Sequence, residues 1–375
     1  MARSLFVRLV QVLALGALGA CSDPGGSGPP SAPVAADDGW LESTPAGEGL
    51  DAARLDALGD RIADGRYGTI DAVLVARHGR IAYERYFNGW TRDRAHTLQS
   101  VSKSVTSLLA GIAVGDGRLS VDQPAVGFFP EYAPIRNLDD RKRAMRVEDL
   151  LTMRTGLDWS ESPYEGSPLQ QLNESSGDWV RFVADWPMRD APGTRWEYVS
   201  GGTILLGGVI GRAVGERVDS FATERLFEPL EMRNYAWYRN PGDGFPHTGG
   251  GLLLRPRDVL KLGQLVLDGG RWNGEQVVPA AWIAASTRRV TTPSFGFGPH
   301  AMGYGYSWWT GSLDDALNPR NETGEIIVAA GTGGQWIFVV PNYDLVMVAN
   351  GWTLDGRWVS AYDFLLTDVL PAIRD

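Results

Sequence analysis

A serine and a lysine three residues apart are the first residues whose types and spacing can do chemistry. Ser100 and Lys103 lie at the start of a run in which apolar residues recur at helical spacing. Residues i and i+3 share one face of a helix, so the lysine ammonium would lie beside the serine hydroxyl. A desolvated lysine can take the proton of that hydroxyl and make it a nucleophile. Capped surface helices carry the same spacing by chance, so the pair needs support from the rest of the chain.

A second candidate group lies in the segment 196–202, where Tyr198 and Ser200 form Y-x-S ahead of a predicted helix. A tyrosine near a lysine ammonium can have a lowered pKa and can relay protons. The alternative for this segment is a buried aromatic side chain that packs a loop. The choice between the two depends on whether the fold brings Tyr198 to Lys103.

The glycine-rich segment 329–335 is the third candidate and lies between two predicted strands. Glycines within a strand pattern indicate a place where the backbone approaches another group closely. If this edge lies beside the start of the Ser100 helix, the Thr332 N–H would join the Ser100 N–H in holding a developing oxyanion. The alternative is a glycine-rich hairpin turn.

These three groups need an architecture that brings them together, and the hydrophobic pattern predicts one. Strands are predicted at 71–77 and 80–87, joined by a turn at His78, and again at 303–309, 325–330, 335–341 and 345–350. Mainly helices are predicted between 118 and 238, and a last helix at 360–373. This order predicts an α+β fold, in which an antiparallel sheet is flanked by helices and an all-helical domain is inserted at about 118–238.

Composition restricts the partners and cofactors of this 375-residue chain. Its formal net charge of −10 argues against nucleic acid as a partner. The chain has one cysteine, and its four histidines are far apart in the sequence. No motif therefore predicts a metal site, and no cofactor is expected.

The first 20 residues have the composition of a secretory signal, since two arginines precede a short apolar run. The run ends in Leu-Gly-Ala directly before Cys21, which resembles a bacterial lipobox. The resemblance implies that Cys21 is lipidated and anchors the chain to a membrane of the bacterial cell envelope, on its periplasmic side. The alternative is a plain signal peptide with an incidental cysteine. Residues 21–38 predict a flexible tether, which leaves 39–375 as the folded domain.

The order of the three candidate groups resembles that of the penicillin-binding-protein-like serine hydrolases, and in particular the class C β-lactamase branch. That family carries S-x-x-K, then Y-x-N, then K-T-G or H-x-G, with a helical domain between the first two motifs. Other parts of the chain resemble recurring segments of the branch: 116–124, 149–157, 257–264 and 334–341. The resemblance covers roughly residues 45–370 and implies a β-lactamase/transpeptidase-like fold.

The same resemblance implies a role for each candidate residue. Ser100 would be the nucleophile, Lys103 its base and Tyr198 the proton relay. The backbone N–H groups of Ser100 and Thr332 would hold the oxyanion. Three further residues would contact the substrate: Tyr164, Ser200 and Gly331.

Two departures from the family pattern narrow the implied chemistry. Ser200 replaces the asparagine of Y-x-N, and Ala329 stands where the third motif has its cation. Since that cation helps the family to bind a substrate carboxylate, its loss disfavours β-lactam and D-Ala-D-Ala chemistry. The pattern resembles the esterase and 6-aminohexanoate-dimer hydrolase members, which implies a serine hydrolase that cleaves a small ester or linear amide.

Three alternatives remain open from the sequence. The first is a D,D-peptidase or weak β-lactamase of the same family. The second is a non-catalytic, lipid-anchored envelope binding protein, against which the intact Ser100, Lys103 and Tyr198 argue. The third is a Ser-His-Asp hydrolase, but the chain has no G-x-S-x-G elbow and no histidine in a supporting motif.

Overall fold

The structure is a computed structural model that describes residues 38–297, 300–315, 317–320, 322–353 and 361–374. The predicted signal segment 1–20, Cys21 and all but the last residue of the predicted tether lie outside these residues. The described chain has a central sheet with helices packed on it, which confirms the predicted α+β class.

The largest sheet has eight strands in the order β1-β3-β2-β13-β12-β11-β10-β9. Its members are β1 (Leu41–Glu42), β2 (Ile70–Arg77), β3 (Arg80–Tyr86), β9 (Gly303–Tyr304), β10 (Trp309–Ser312), β11 (Glu325–Gly331), β12 (Gln335–Val340) and β13 (Leu345–Gly351). β1 and β3 pair in parallel, and the other neighbours pair antiparallel. Because β2 pairs with β13, strands from the two ends of the described chain share one sheet.

Five short strands form two smaller sheets. They are β4 (His96–Thr97), β5 (Ala236–Trp237), β6 (Leu252–Leu254), β7 (Arg271–Trp272) and β8 (Glu275–Gln276). β6 lies between β4 and β5, and β7 pairs with β8. The three-stranded sheet is the one that bears on function, because β4 leads directly to Ser100.

The helices of the described residues surround these sheets. They are α1 (Ala52–Ala63), α2 (Val101–Gly115), α3 (Asp140–Ala144), α4 (Val147–Leu151), α5 (Pro168–Glu174), α6 (Trp179–Ala184), α7 (Ser200–Val214), α8 (Val218–Ala222), α9 (Pro256–Leu267), α10 (Ala280–Ser286) and α11 (Ala361–Phe364). None of them combines the length and apolarity that crossing a membrane requires.

Helix α2 lies in the centre of the molecule. Every residue from Val101 to Ala113 is buried, polar residues such as Lys103 and Ser104 included, so other elements enclose the helix on all sides. It packs against β11 and β12 of the large sheet, and also against α7 and α10. The start of α2 therefore lies where the sheet and the helices of segment 118–238 meet. The boundaries of that predicted helical domain stay a prediction.

The hairpin predicted at His78 is confirmed. β2 and β3 are joined by His78 and Gly79, which both have positive φ angles, of 53° and 71°. Two consecutive left-handed residues form the two-residue turn whose twist matches antiparallel strands. His78 is thus a turn residue, and its imidazole bonds the Glu48 carboxylate over 2.9 Å.

Two predicted elements differ in the structure. The strand predicted at 303–309 is a hairpin, since β9 and β10 pair with each other around a turn in which Ser307 has a φ of +59°. A period-two pattern does not reveal such a turn when no glycine marks the left-handed position. The predicted last helix is α11 followed by a π turn and a 3-10 turn. Pro371 has no N–H to donate, so a regular helix cannot continue there.

Candidate active site

Ser100 lies where strand β4 passes into helix α2. The Leu98 N–H donates to the Leu252 carbonyl over 2.8 Å, which extends the pairing of β4 with β6. Gln99 then adopts a left-handed conformation with a φ of +47°. This conformation costs energy for a residue with a side chain, so the surrounding structure must hold it. The turn places Ser100 at the helix start, as the spacing predicted.

Lys103 lies beside the Ser100 hydroxyl, one helical turn further on. Its Nζ donates to Ser100 Oγ over 3.0 Å and to the Gly249 carbonyl over 2.5 Å. Lys103 is 1% exposed, and burial lowers the pKa of its ammonium to about 8, although the nearby Glu161 charge opposes this shift. A substantial fraction of neutral amine is therefore present near neutral pH, as a base requires.

Tyr198 lies two residues before the start of α7 and approaches the same serine. Its phenol hydrogen-bonds Ser100, and Lys103 Nζ lies 4.9 Å from the centre of its ring. The sequence suggested a lowered pKa for a tyrosine beside a lysine, and this expectation is wrong. Burial raises the pKa of Tyr198, and the Glu161 charge raises it further, while the bond to Ser100 acts in the opposite direction. The phenol is therefore neutral and can donate a proton.

The end of strand β11 passes close to the nucleophile. A Cβ on Gly331 would lie 2.4 Å from the Leu98 carbonyl oxygen and 3.0 Å from Ser100 N, so only glycine fits. Within the described residues, neither the Ser100 N–H nor the Thr332 N–H donates a hydrogen bond to the protein. Two unpaired N–H groups at such a close approach can hold an oxyanion.

Ala329 lies two residues before Gly331 on β11 and is fully buried. Side chains at i and i+2 of a strand share one face, so Ala329 points to the same side as Gly331. The position in which the family pattern carries a cation is thus occupied here by a methyl group.

Ser200 is engaged with Glu161, a residue that the sequence patterns did not single out. The Ser200 N–H donates to Glu161 Oε1 over 2.5 Å, and the Ser200 hydroxyl donates to Oε2 over 3.0 Å. The indole N–H of Trp159 also donates to Oε1, over 2.9 Å. Ser200 is 3% exposed, and its hydroxyl is directed to this carboxylate by the hydrogen bond. Its predicted contact with substrate stays a prediction.

Tyr164 belongs to a chain of hydrogen bonds that leads back towards Lys103. Its hydroxyl accepts from Asn173 Nδ2 over 3.3 Å, and Asn173 Oδ1 bonds His247 Nε2 over 3.0 Å. Burial lowers the pKa of His247 to about 4, and the Lys103 charge adds to this effect. Asn173 and His247 were missed because no spacing relates them to Ser100; only the fold brings them near.

The histidines do not support a Ser-His-Asp site. In the described chain, none of the four forms a hydrogen bond with Ser100. His96 comes nearest in sequence, but its Nε2 bonds Asp71 over 3.0 Å and its Nδ1 bonds the Thr97 carbonyl over 2.9 Å. Both of its ring nitrogens are therefore occupied by structural partners, and Lys103 is the base within reach of the nucleophile.

Aromatic side chains line the side of Tyr198 away from the helices. Phe295 is 51% exposed, and its ring centre lies 6.0 Å from that of Tyr198. It also contacts Trp196 and Trp309, at 5.2 Å and 5.6 Å between ring centres. The half-exposed Phe295 ring thus belongs to an aromatic cluster that includes Tyr198.

No group of three or more His, Cys, Asp or Glu side chains in the described residues is arranged to hold a metal ion. The site has groups of its own that can do chemistry. They supply a hydroxyl, a buried amine of lowered pKa, a neutral phenol and two unpaired N–H groups, which is a set that can carry out acyl transfer.

Comparisons with known proteins agree with this chemistry. A family model described as Beta-lactamase matches residues 61–360. The chain is 28% identical over 343 residues to 6-aminohexanoate-dimer hydrolase from Paenarthrobacter ureafaciens, with 85% of this chain and 84% of that protein covered. It is 29% identical over 231 residues to esterase EstB from Burkholderia gladioli, with 56% and 58% covered.

A solved structure extends the likeness to three dimensions. The structure titled EstCE1, a hydrolase with promiscuous acyltransferase activity, aligns with a TM-score of 0.71 and 20% identity, and covers 86% of this chain and 98% of its own. At this identity the likeness concerns the fold alone. Together with the family match, it confirms the β-lactamase/transpeptidase-like class that the sequence motifs predicted.

Proposed function

This chain belongs to the beta-lactamase family and is a serine hydrolase, and we propose that it cleaves an ester or a linear amide through an acyl-enzyme on Ser100. The observation that carries the proposal is the 3.0 Å bond between Lys103 Nζ and Ser100 Oγ. Lys103 is buried and its pKa is lowered to about 8, so it can accept the serine proton near neutral pH.

Acylation begins when neutral Lys103 takes the Ser100 proton as Ser100 Oγ attacks the substrate carbonyl carbon. The carbonyl oxygen becomes an oxyanion, held by the N–H groups of Ser100 and Thr332. The Tyr198 phenol donates a proton to the leaving alcohol or amine, and the protonated Lys103 restores the phenol proton. The bond to the leaving group breaks, and the acyl group stays on Ser100.

In deacylation, water replaces Ser100 as the nucleophile, and Lys103 again acts as the base. A water molecule attacks the ester carbon of the acyl-enzyme, and its proton passes to neutral Lys103. The second oxyanion forms in the same place and collapses to release the acid. The proton then returns from Lys103 to Ser100 Oγ, which restores the resting site.

Ester and linear amide substrates fit this site better than β-lactams or D-Ala-D-Ala peptides. Those compounds carry a carboxylate that family members hold with a cation, and Ala329 replaces that cation here. The relatives above are named 6-aminohexanoate-dimer hydrolase and esterase EstB. The D,D-peptidase, β-lactamase and non-catalytic binder alternatives are correspondingly not favoured. Tyr164 and Gly331 are proposed to contact the substrate, since Tyr164 is linked to the site and Gly331 borders Ser100.

Replacement of the nucleophile tests the proposal. We expect S100A to lose about a thousandfold or more in kcat/KM with p-nitrophenyl butyrate, because no other group can form the acyl-enzyme. A fluorophosphonate probe should label Ser100 in the folded parent and leave S100A unlabelled. Equal hydrolysis by S100A and the parent would contradict the proposal.

A substrate panel tests the chemical class. We expect activity with p-nitrophenyl esters or with 6-aminohexanoate dimer, and little with a chromogenic cephalosporin or a D-Ala-D-Ala peptide. Higher activity with the cephalosporin or the D-Ala-D-Ala peptide than with the esters and the dimer would overturn the argument from Ala329. An ester-only result would assign the chain to the esterases of the family.

We also propose that Cys21 is lipidated and tethers the hydrolase to a membrane of the bacterial cell envelope. The support is in the sequence alone, where the single cysteine follows Leu-Gly-Ala at the end of an apolar run. Expression with a radiolabelled or alkyne fatty acid should label the parent and leave C21A unlabelled. A soluble, unlabelled parent would instead support a plain signal peptide.

A further inference from the structure

Glu161 is the one acidic group that acts on the charge of Lys103 within the described residues. The other titratable groups that face Lys103 are the Tyr198 phenol and the imidazole of His247, which are both neutral near pH 7. Glu161 itself acts on Lys103 and on the phenols of Tyr198 and Tyr304. Among these groups, Lys103 and Glu161 are thus the two that can carry opposite charges.

Three hydrogen bonds favour the ionised form of Glu161. All come from neutral donors: the N–H and hydroxyl of Ser200 and the indole of Trp159. Burial is the largest effect and raises the pKa of this carboxyl overall, whereas these bonds and the Lys103 ammonium act to lower it. A carboxylate with this many donors is built to hold a charge, in contrast to a carboxyl left in an apolar pocket.

We propose that Glu161 is a positioning residue, whose carboxylate fixes Ser200 at the start of α7 and supplies the negative charge against which the Lys103 ammonium forms. Ser200 begins the helix that directly follows Tyr198, so the bonds to Glu161 also fix the phenol beside Ser100. This role for Glu161 rests on the proposed function, because it requires Lys103 to take the serine proton.

The charge of Glu161 has two opposite effects on the reaction. A cation develops on Lys103 as the serine proton transfers, and burial disfavours it. A fixed carboxylate stabilises that cation more in the transition state than in the neutral ground state, which lowers the barrier. The same carboxylate keeps resting Lys103 protonated up to a higher pH. Its removal should therefore slow the reaction and move the acid limb of the pH profile downwards.

The variant E161Q separates charge from shape. Glutamine has the size of glutamate and retains an oxygen that accepts hydrogen bonds, but it carries no charge. For E161Q we expect the acid limb of kcat/KM to move about one pH unit lower, the size of shift that one opposite charge exerts. The plateau at high pH should fall about tenfold, the rate equivalent of that shift.

Two matched variants distinguish this role from a merely structural one. S200A keeps the Glu161 charge and removes only the hydroxyl donor, so its acid limb should stay at the parent value while its plateau falls. E161D also keeps a carboxylate, and its acid limb should lie closer to that of the parent than the limb of E161Q does. A structural role would lower the plateau of all three variants without moving any limb.

A measurement on the parent needs no substitution at this position. With 13C-labelled glutamate, the Glu161 carboxyl carbon should show the chemical shift of an ionised carboxylate throughout the pH range of activity. The signal would be assigned as the one that E161D or E161Q removes. A neutral carboxyl at the pH of maximal activity would overturn the proposal, even if E161Q failed to fold.

The outcomes also separate this inference from the proposed function. If S100A retains full activity, the acyl-enzyme mechanism itself is wrong. If S100A is inactive and the E161Q limb stays in place or moves to higher pH, only the role of Glu161 is wrong. A downward shift in E161Q alone, with S200A unmoved, supports both.

Discussion

A lysine side chain is ordinarily a solvated cation, and burial of Lys103 lowers its pKa so that it can act as a base. Its ammonium has lost almost all contact with water, and its two acceptors, Ser100 Oγ and the Gly249 carbonyl, are uncharged. Desolvation penalises the charged form, and so the pKa falls to about 8. Burial is thus the main cause of the lowered pKa of Lys103, and the Tyr198 ring, 4.9 Å from Nζ, is one of the groups around the ammonium.

This shift predicts the pH dependence of the reaction. Activity requires neutral Lys103, so kcat/KM should rise with pH and level off above about 8. K103R should lose about a thousandfold at every pH, because a guanidinium stays protonated. Initial rates with p-nitrophenyl butyrate from pH 5.5 to 9.5 provide the measurement. A parent profile that is flat across this range would contradict the role of Lys103 as base.

Phe295 is the second side chain for which a prediction can be made at the residue scale. It is 51% exposed beside Tyr198, where the apolar part of a substrate would cover it. Covering the exposed half of this phenylalanine is worth about 1 kcal/mol, which corresponds to roughly fivefold in affinity. F295A should therefore raise KM for a long-chain p-nitrophenyl ester about fivefold and leave KM for the acetate nearly unchanged.

A control shows whether the effect of Phe295 is local. Leu41 is 50% exposed on β1, at the opposite edge of the large sheet from β9 and β10. L41A removes a similar exposed apolar side chain, and its KM should match the parent for both esters. Equal effects of F295A on the two esters would count against substrate contact.

At the scale of elements, the site depends on how closely β11 approaches the start of α2. The approach leaves no space for a Cβ at Gly331, which would meet the Leu98 carbonyl at 2.4 Å. Neither partner can yield easily, because Leu98 is bonded to Leu252 and β11 lies between β10 and β12 in the sheet. Two rigid elements therefore fix the distance between the two predicted oxyanion donors.

G331A tests this close approach. The added methyl group must push β11 away from Ser100, which would displace the Thr332 N–H. We expect kcat to fall about 100-fold or more, as for the loss of one oxyanion donor. G127A is a suitable control, because a Cβ at Gly127 would meet nothing within 4 Å. Parent-like kcat in G331A would show that Thr332 is not a donor.

At the scale of the whole molecule, His300 joins the end of the chain to the edge of the sheet. Its Nδ1 bonds Asp315 over 2.7 Å and its Nε2 bonds Asp363 over 2.9 Å. Asp315 follows β10, and Asp363 lies in α11. Burial alone would lower the pKa of His300, but the two carboxylates outweigh it and raise that pKa above 6.5.

This pair of bonds predicts how folding stability changes with pH. Because the folded pKa of His300 is raised, its contribution is fully present below about pH 6.5 and is lost as pH rises through the folded value. Urea unfolding should show H300Q to be less stable than the parent at pH 6, with a smaller difference at pH 9. A parent–H300Q difference that is independent of pH would contradict the prediction.

Much of the fold and of the site could be predicted from local patterns. The Ser100–Lys103 pair lies on one helical face because the helical repeat requires it, and the His78 turn follows from its glycine and flanking strands. The hairpin between β9 and β10 was missed, because Ser307 adopts a left-handed conformation without a glycine to indicate it. The last helix was predicted as one regular element, but Pro371 has no N–H to donate and the chain ends it in a 3-10 turn.

Sequence by itself therefore predicted the candidate nucleophile and base and the family that the comparisons confirm, since these depend on spacings of a few residues and on the order of motifs. Only the tertiary structure decided that Glu161 faces Lys103 and Ser200, that Tyr198 is a neutral phenol and that Gly331 must be glycine. Burial and contacts between distant segments cause these properties. Both arise when the sheet and α7 pack against α2, and no short stretch of sequence contains them.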